Sequence, residues 1–186
     1  LIYFPNWAED LYTESKKISI PTLPEGFKIM FAGNIGEAQD FESILKAAQL
    51  TKDDINIKWI ILGDGRKKDW VEEYIKNNNL SSTVFLMGQY PIDHMPSFFK
   101  QADAMLVTLK DEVIFNLTVP AKTQSYMASS KPIIAMINGE TASLIKESNC
   151  GHVVNSGDYE GLVRIIYKIS QDREEFAQLG TNGYNY

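Results

Sequence analysis

Phe27-Lys28-Ile29-Met30-Phe31-Ala32-Gly33-Asn34-Ile35-Gly36, then the run from Asp40 to Leu50, then Ile57-Lys58-Trp59-Ile60-Ile61-Leu62-Gly63-Asp64-Gly65, decide the fold. The first and third segments are nearly unbroken apolar runs stopped by glycine. Between them Phe41, Ile44, Leu45 and Ala48 recur at helical spacing. Strands whose residues are apolar on both faces belong to parallel sheets, which need helical crossovers. One β–α–β unit is therefore written into residues 27–62.

The same alternation continues outward. Val84 to Met87, Ala104 to Leu109, Ile133 to Met136 and His152 to Val154 read as further strands. Helical spacing appears in Trp70, Val71, Tyr74 and Ile75, then in Met95, Phe98, Phe99 and Ala102. It recurs over Pro120 to Ser129 and Thr141 to Lys146, and in the face Leu162, Val163, Ile165, Ile166 and Ile169, with Asp158 as its cap. About six β–α units predict an α/β chain, a Rossmann-like doubly wound parallel sheet of about six strands. Residues 1–24, with Pro5, Pro21 and Pro24, fall outside the repeat and read as a linker or arm. Residues 25–186 read as the domain proper.

Composition narrows the classes. The chain has 186 residues, 44% hydrophobic and 23% charged, and a net charge of −6. Such a chain buries roughly 70% of its surface and is neither disordered nor fibrous. An acidic balance argues against nucleic acid as a partner. Cys150 is the lone cysteine, so no internal disulfide forms, which favours a reducing compartment. Apolar runs stop at about six residues, against the ~20 a membrane helix needs. His94, His152 and Cys150 are scattered, and neither a G-x-S-x-G stretch nor an Asp-x-Asp pair occurs. Zinc, serine-hydrolase and metal–nucleotide chemistry lose their usual ligands, so no metal is expected.

In doubly wound sheets ligands bind beyond the carboxyl ends of the strands. Gly33 and Gly36 allow close backbone approach to a phosphate, and the helix that follows favours an anion. Asp64 stands where a dinucleotide fold places a ribose-binding acid. Lys122 occupies the first turn of the helix opened by Pro120, where a cation opposes the helix dipole. It is explained by a bound anion or by a head reaching into water. Residues alone leave open a nucleotide-using enzyme, such as a nucleotide-sugar epimerase or a dinucleotide dehydrogenase, and a regulatory α/β module of the phosphoacceptor-receiver kind.

Several stretches together resemble the C-terminal, donor-binding domain of GT-B retaining glycosyltransferases of family 4. They are Phe31 to Gln39, Ile61 to Gly65, Val84 to Gly88 with Met95 to Phe99, Val119-Pro120-Ala121-Lys122, Tyr126-Met127-Ala128, Lys131 to Ala135, Gly139-Glu140, and Cys150-Gly151 with Asp158. The branch resembled includes N-acetyl-L-fucosamine transferases of surface-polysaccharide biosynthesis. Pro5-Asn6-Trp7-Ala8 looks like the segment leading out of an N-terminal domain.

The resemblance implies transfer of a hexose from a UDP-sugar, the donor substrate, to a lipid-linked or polysaccharide acceptor, with no cofactor and no metal. It implies Gly33, Asn34, Gly36 and Lys122 at the donor diphosphate and sugar, and Gly88, Gln89, Tyr90, Glu112 and Ser125 near the nucleoside. The usual pair of glutamates seven residues apart aligns with Leu117 and Ser125 instead, leaving Glu112 as a substitute acid. The partners implied are the nucleotide-sugar and an N-terminal acceptor domain on a longer chain, without which this domain alone is expected to be inactive. The expected location is the cytoplasm, with the inner face of the membrane reached only through that missing domain. A last helix is expected to continue from Phe176 and Leu179 past the end of the sequence.

Overall fold

The computed structural model describes residues 10–12, 18–54 and 56–186. The segment Pro5-Asn6-Trp7-Ala8 lies outside the described residues. Six parallel strands form one sheet: β1 (Phe27–Ala32), β2 (Ile57–Leu62), β3 (Val84–Gly88), β4 (Ala104–Thr108), β5 (Ile133–Met136) and β6 (Gly151–Val154). Their order is β3-β2-β1-β4-β5-β6, so the direction of winding reverses between β1 and β4. The doubly wound expectation is met, and β1, β2 and β5 fall on the bounds read from the sequence.

Side chains alternate along each strand, and both faces are covered. On one face Phe27, Ile29, Phe31, Trp59 and Ile61 pack under α1 (Phe41–Leu50), α2 (Lys68–Asn77), α7 (Tyr159–Gln171) and α8 (Arg173–Asn185). On the other, Met30, Ile60, Met105, Val107 and Ala135 pack under α3 (Met95–Gln101), α5 (Ala121–Ala128) and α6 (Gly139–Glu147). Leu23 joins this second face, 5% exposed, so the described end of the 1–24 arm lies against the sheet.

Local chemistry sets the helix starts. Asp40 caps α1 in a left-handed conformation, φ 49°, its side chain accepting from Ser43 N–H. Asp158 Oδ1 accepts from Gly161 N–H at 2.8 Å and caps α7. Pro120 is the cap residue of α5 rather than part of its first turn, and its carbonyl accepts from Thr123 N–H. Ser130 takes the left-handed geometry, φ 53°, that a glycine would take more cheaply after α5. One short helix escaped the periodicity: α4 (Val113–Asn116) lies in the stretch read as a loop, and four residues are too few to show a period.

The loops after β1 and β2 are interlocked. Gly33 N–H donates to Leu62 O, Ile35 N–H to Asp64 O and Lys67 N–H to Ile35 O, so the two connections continue the ladder of their strands. Gly63 has φ 137°, and a Cβ there would stand 1.8 Å from Gly33 O.

Two substitutions check this frame. Asp158→Ala is expected to cost about 1 kcal/mol in urea unfolding with an unchanged m-value, the usual loss of a helix cap. Gly63→Ala is expected to cost more, about 2 kcal/mol or above, because it combines a left-handed backbone with a clash against main chain. Equal, small losses at both positions would contradict the interlocked-loop account.

Candidate functional site

The carboxyl ends of β1, β2 and β3 border an open cavity of about 580 Å³. Gly33 and Asn34 line it from the first loop, Leu62, Gly63 and Asp64 from the second, and Gln89 to Ile92 with Met95 from the third. Gly88 ends β3 behind it and accepts a hydrogen bond from Gly63 N–H. The Tyr90 ring is held edge-on to Phe98, 4.7 Å between centroids. A lining that combines Tyr90, Ile92 and Met95 with the amides of Asn34 and Gln89 and the Asp64 carboxylate suits a flat heterocycle carrying a polar tail.

Lys122 stands beside Gly33 but is not among the residues that line that cavity. As the second residue of α5 it reaches Phe31, its Nζ 3.7 Å from the ring centroid. The Nζ is buried and has no hydrogen-bond partner among the described residues. Burial alone lowers its pKa from 10.5 to about 7. The ring face offers a cation some attraction, but less than the water it has lost. A Cβ on Gly33 would stand 2.8 Å from Nζ, so the glycine makes the room the ammonium occupies. Of the two explanations for a lysine here, a head in water does not describe this structure, where Nζ is buried.

The other sequence candidates are placed as follows. Asn34 is exposed beside Gly33 and lines the cavity. Gly36 is buried, and its N–H already donates to Gln39 Oε1 at 3.2 Å. Gln89 and Tyr90 line the cavity as a pair. Glu112 is exposed and caps α4 through its carbonyl, which accepts from Phe115 and Asn116 N–H; it does not line the cavity. Ser125 donates to Ala121 O, one turn back on its own helix, and also lies outside the cavity. Asp64 accepts from Gly65 N–H and faces Lys68 at 4.0 Å. His94 Nδ1 is 2.8 Å from Asp93, and Cys150 is buried, which raises its thiol pKa. Among the described residues no three His, Cys, Asp or Glu side chains gather as metal ligands would.

Two groupings were not legible in the sequence. Glu37, after β1, pairs with Lys110 from the loop after β4 and with Lys67 from the loop after β2, the latter at 2.9 Å. The two cations hold its carboxyl below the usual range, Lys110 contributing more. The first loop has no cation of its own, and other strands supply them. The second grouping is Tyr126, fully buried in α5, whose hydroxyl accepts from Ala32 N–H at 2.9 Å and donates to Ala32 O at 3.0 Å. In sequence it is one more apolar position on a helix face.

The chain is similar to known proteins in sequence and in fold. The profile of the family described as "Glycosyl transferases group 1" matches residues 13–186. A probable glycosyltransferase, WbjE of Pseudomonas aeruginosa, is 29% identical over 179 residues, covering 92% of this chain and 44% of that protein. A putative colanic acid biosynthesis glycosyl transferase, WcaI of Escherichia coli, is 29% identical over 137 residues, covering 69% of this chain and 33% of that protein. The chain thus spans less than half the length of these curated relatives. Among solved structures, WaaG, a glycosyltransferase of lipopolysaccharide biosynthesis, shares the fold with a TM-score of 0.77 at 15% identity over 98% of this chain and 50% of its own. HepE of Anabaena, crystallised with UDP-glucose, shares it with a TM-score of 0.72 at 19% identity over 86% of this chain and 43% of its own. With the profile matched along nearly its whole length, the chain belongs to the glycosyl transferases group 1 family.

Proposed function

We propose that this chain is the donor-binding half of a retaining, metal-independent glycosyltransferase of family 4, moving a hexose from UDP to a lipid-linked or polysaccharide acceptor. The observation that carries the reading is the buried Lys122 Nζ, unpartnered beside Gly33. An ammonium in that position calls for an anion, and a diphosphate emerging past Gly33 would supply it. The cavity next to it has the size and the aromatic wall for a nucleoside. HepE, with the same fold, is crystallised with UDP-glucose, which favours uridine as the base. The branch resembled in sequence favours an N-acetylated deoxyhexose as the sugar.

In this reading the chain contributes two things to catalysis. Gly33, Asn34 and the cavity wall fix the donor's position, and Lys122 neutralises the charge that grows on the departing diphosphate. No titratable side chain of this half is asked to act as a nucleophile. The acceptor would be held by the remainder of a longer chain, so the 186 residues alone should bind donor without turning it over. Such a protein works in the cytoplasm, at the inner face of the membrane where its acceptor is lipid-linked.

Two measurements test the site. In calorimetry without divalent ions, UDP should bind and take up protons: above pH 7 the free Lys122 is mostly neutral, and a diphosphate beside it restores its charge. The uptake should approach one proton at pH 8, seen as heats that vary with the ionisation enthalpy of the buffer, and vanish in Lys122→Met. That variant should weaken binding by about 1.5–3 kcal/mol, the scale of a charge-assisted hydrogen bond. Heat seen only with Mg²⁺ or Mn²⁺ present would refute the metal-free donor site.

The second concerns the free protein. The folded-state pKa of Lys122 lies below its unfolded value, so between about pH 7 and 10.5 the unfolded chain holds more proton than the folded one. Stability contributed at this position is therefore lost as pH falls from 10.5 towards 7. The unfolding free energy of the wild type relative to Lys122→Met should rise with pH across that window, by at most about 1.4 kcal/mol per unit. A difference flat from pH 7 to 10 would show the ammonium to be solvated.

A further inference from the structure

The ladder between β1 and β4 is shorter than its neighbours. It holds only Ile29 with Ala104 and Met30 with Met105. On its other edge β1 stays paired with β2 as far as Ala32 opposite Leu62. β4 likewise stays paired with β5 as far as Thr108 opposite Met136. The two central strands therefore part on one side only, at the point where the winding reverses. The parting closes again further out, where Lys110 N–H donates to Ala38 O and Thr108 Oγ1 to Gln39 O.

Within that gap the backbone of Ala32 loses the strand that would have paired with it. The Tyr126 hydroxyl takes the strand's place, accepting from Ala32 N–H and donating to Ala32 O. The ring is wedged against Phe99, edge to face at 5.4 Å, and is wholly buried. Burial also holds the phenol well above its ordinary pKa, so it keeps the proton it donates. The next residue after Ala32 is Gly33, and one turn before Tyr126 on α5 is Lys122. One hydroxyl thus ties the strand end that shapes the phosphate approach to the helix that carries the ammonium.

We propose that Tyr126 is a positioning residue for donor binding: its hydroxyl, doubly bonded to the Ala32 backbone, sets the spacing between Gly33 and Lys122. The proposal rests on the reading of Lys122 as the diphosphate's partner. Its consequence is energetic coupling. Removing the hydroxyl leaves the packing of the ring but frees α5 from the end of β1, and the loss of affinity should pass through Lys122.

The test is a double-mutant cycle on UDP affinity with Tyr126→Phe and Lys122→Met, each protein first checked for a cooperative thermal transition. The expected result is a loss of about tenfold in Tyr126→Phe and no further loss, within twofold, when Tyr126→Phe is added to Lys122→Met. A role in stability alone would lower the melting temperature and leave UDP affinity within twofold of wild type, which overturns the proposal. Equal fold-losses in both backgrounds overturn it as well. If Tyr126→Phe does not fold, 4-aminophenylalanine at position 126, which keeps a donor at the same reach, serves instead. Affinity within threefold of wild type then supports the proposal, and a tenfold loss in a folded protein overturns it. Wild-type protein that binds no UDP at all removes the donor-site reading and this role together. Wild-type binding with an unaltered Tyr126→Phe removes the role of Tyr126 only.

Discussion

Past Met30 and Met105 the strands at the centre of the sheet have no backbone partner in one another, and much of the site follows from how that gap is filled. Its origin is topological. The connection leaving β1 turns onto the face covered by α1, whereas the one leaving β4 reaches α5 on the opposite face. Chains that leave neighbouring strands in opposite directions must diverge, and a crevice opens between them. A buried backbone N–H and C=O cannot be left in such a crevice without partners. Tyr126 supplies both, and in doing so ties α5 to the end of β1.

The electrostatics divide along the same line. Around Glu37, cations from two other loops are paired in the open, where an ion pair contributes little to stability and is screened by salt. Lys122 is the opposite case: its Nζ is out of water, above an aromatic ring, with burial the sole cause of its lowered pKa. An anion arriving at an exposed lysine displaces water that was already solvating it well. One arriving at Lys122 meets a group that has lost its solvent in the folding of the domain. In the proposed donor site, no solvent shell around this lysine would have to be rearranged as charge develops on the leaving group.

The layer architecture could be read from the sequence because it depends on local patterns. Unbroken apolar runs such as Ile57–Leu62 and Ile133–Met136 mark strands buried on both faces, and their bounds carry over unchanged. Gly33, Asn34, Gln89 and Tyr90 were legible as loop residues at strand ends, and topology alone brings them to one cavity. Gly36 shared the same local signal, yet its N–H is occupied within its own turn. A glycine in a strand-to-helix connection looks the same in sequence whether its N–H faces a ligand or the chain itself.

What could not be read is whatever depends on contact across the fold. Ala32 and Tyr126 are 94 positions apart, and each by itself is an unremarkable core residue. The Lys122 ammonium owes its burial to Phe31 below it and to the missing side chain of Gly33 beside it. In sequence these three are a strand residue, a turn glycine and a helix cation, with no pattern to join them. The periodicity says which face of a helix is buried. It does not say which buried residue carries a hydroxyl to a strand that has lost its neighbour. That follows only once the strand order is known, because the reversal between β1 and β4 creates the unpaired groups that Tyr126 satisfies.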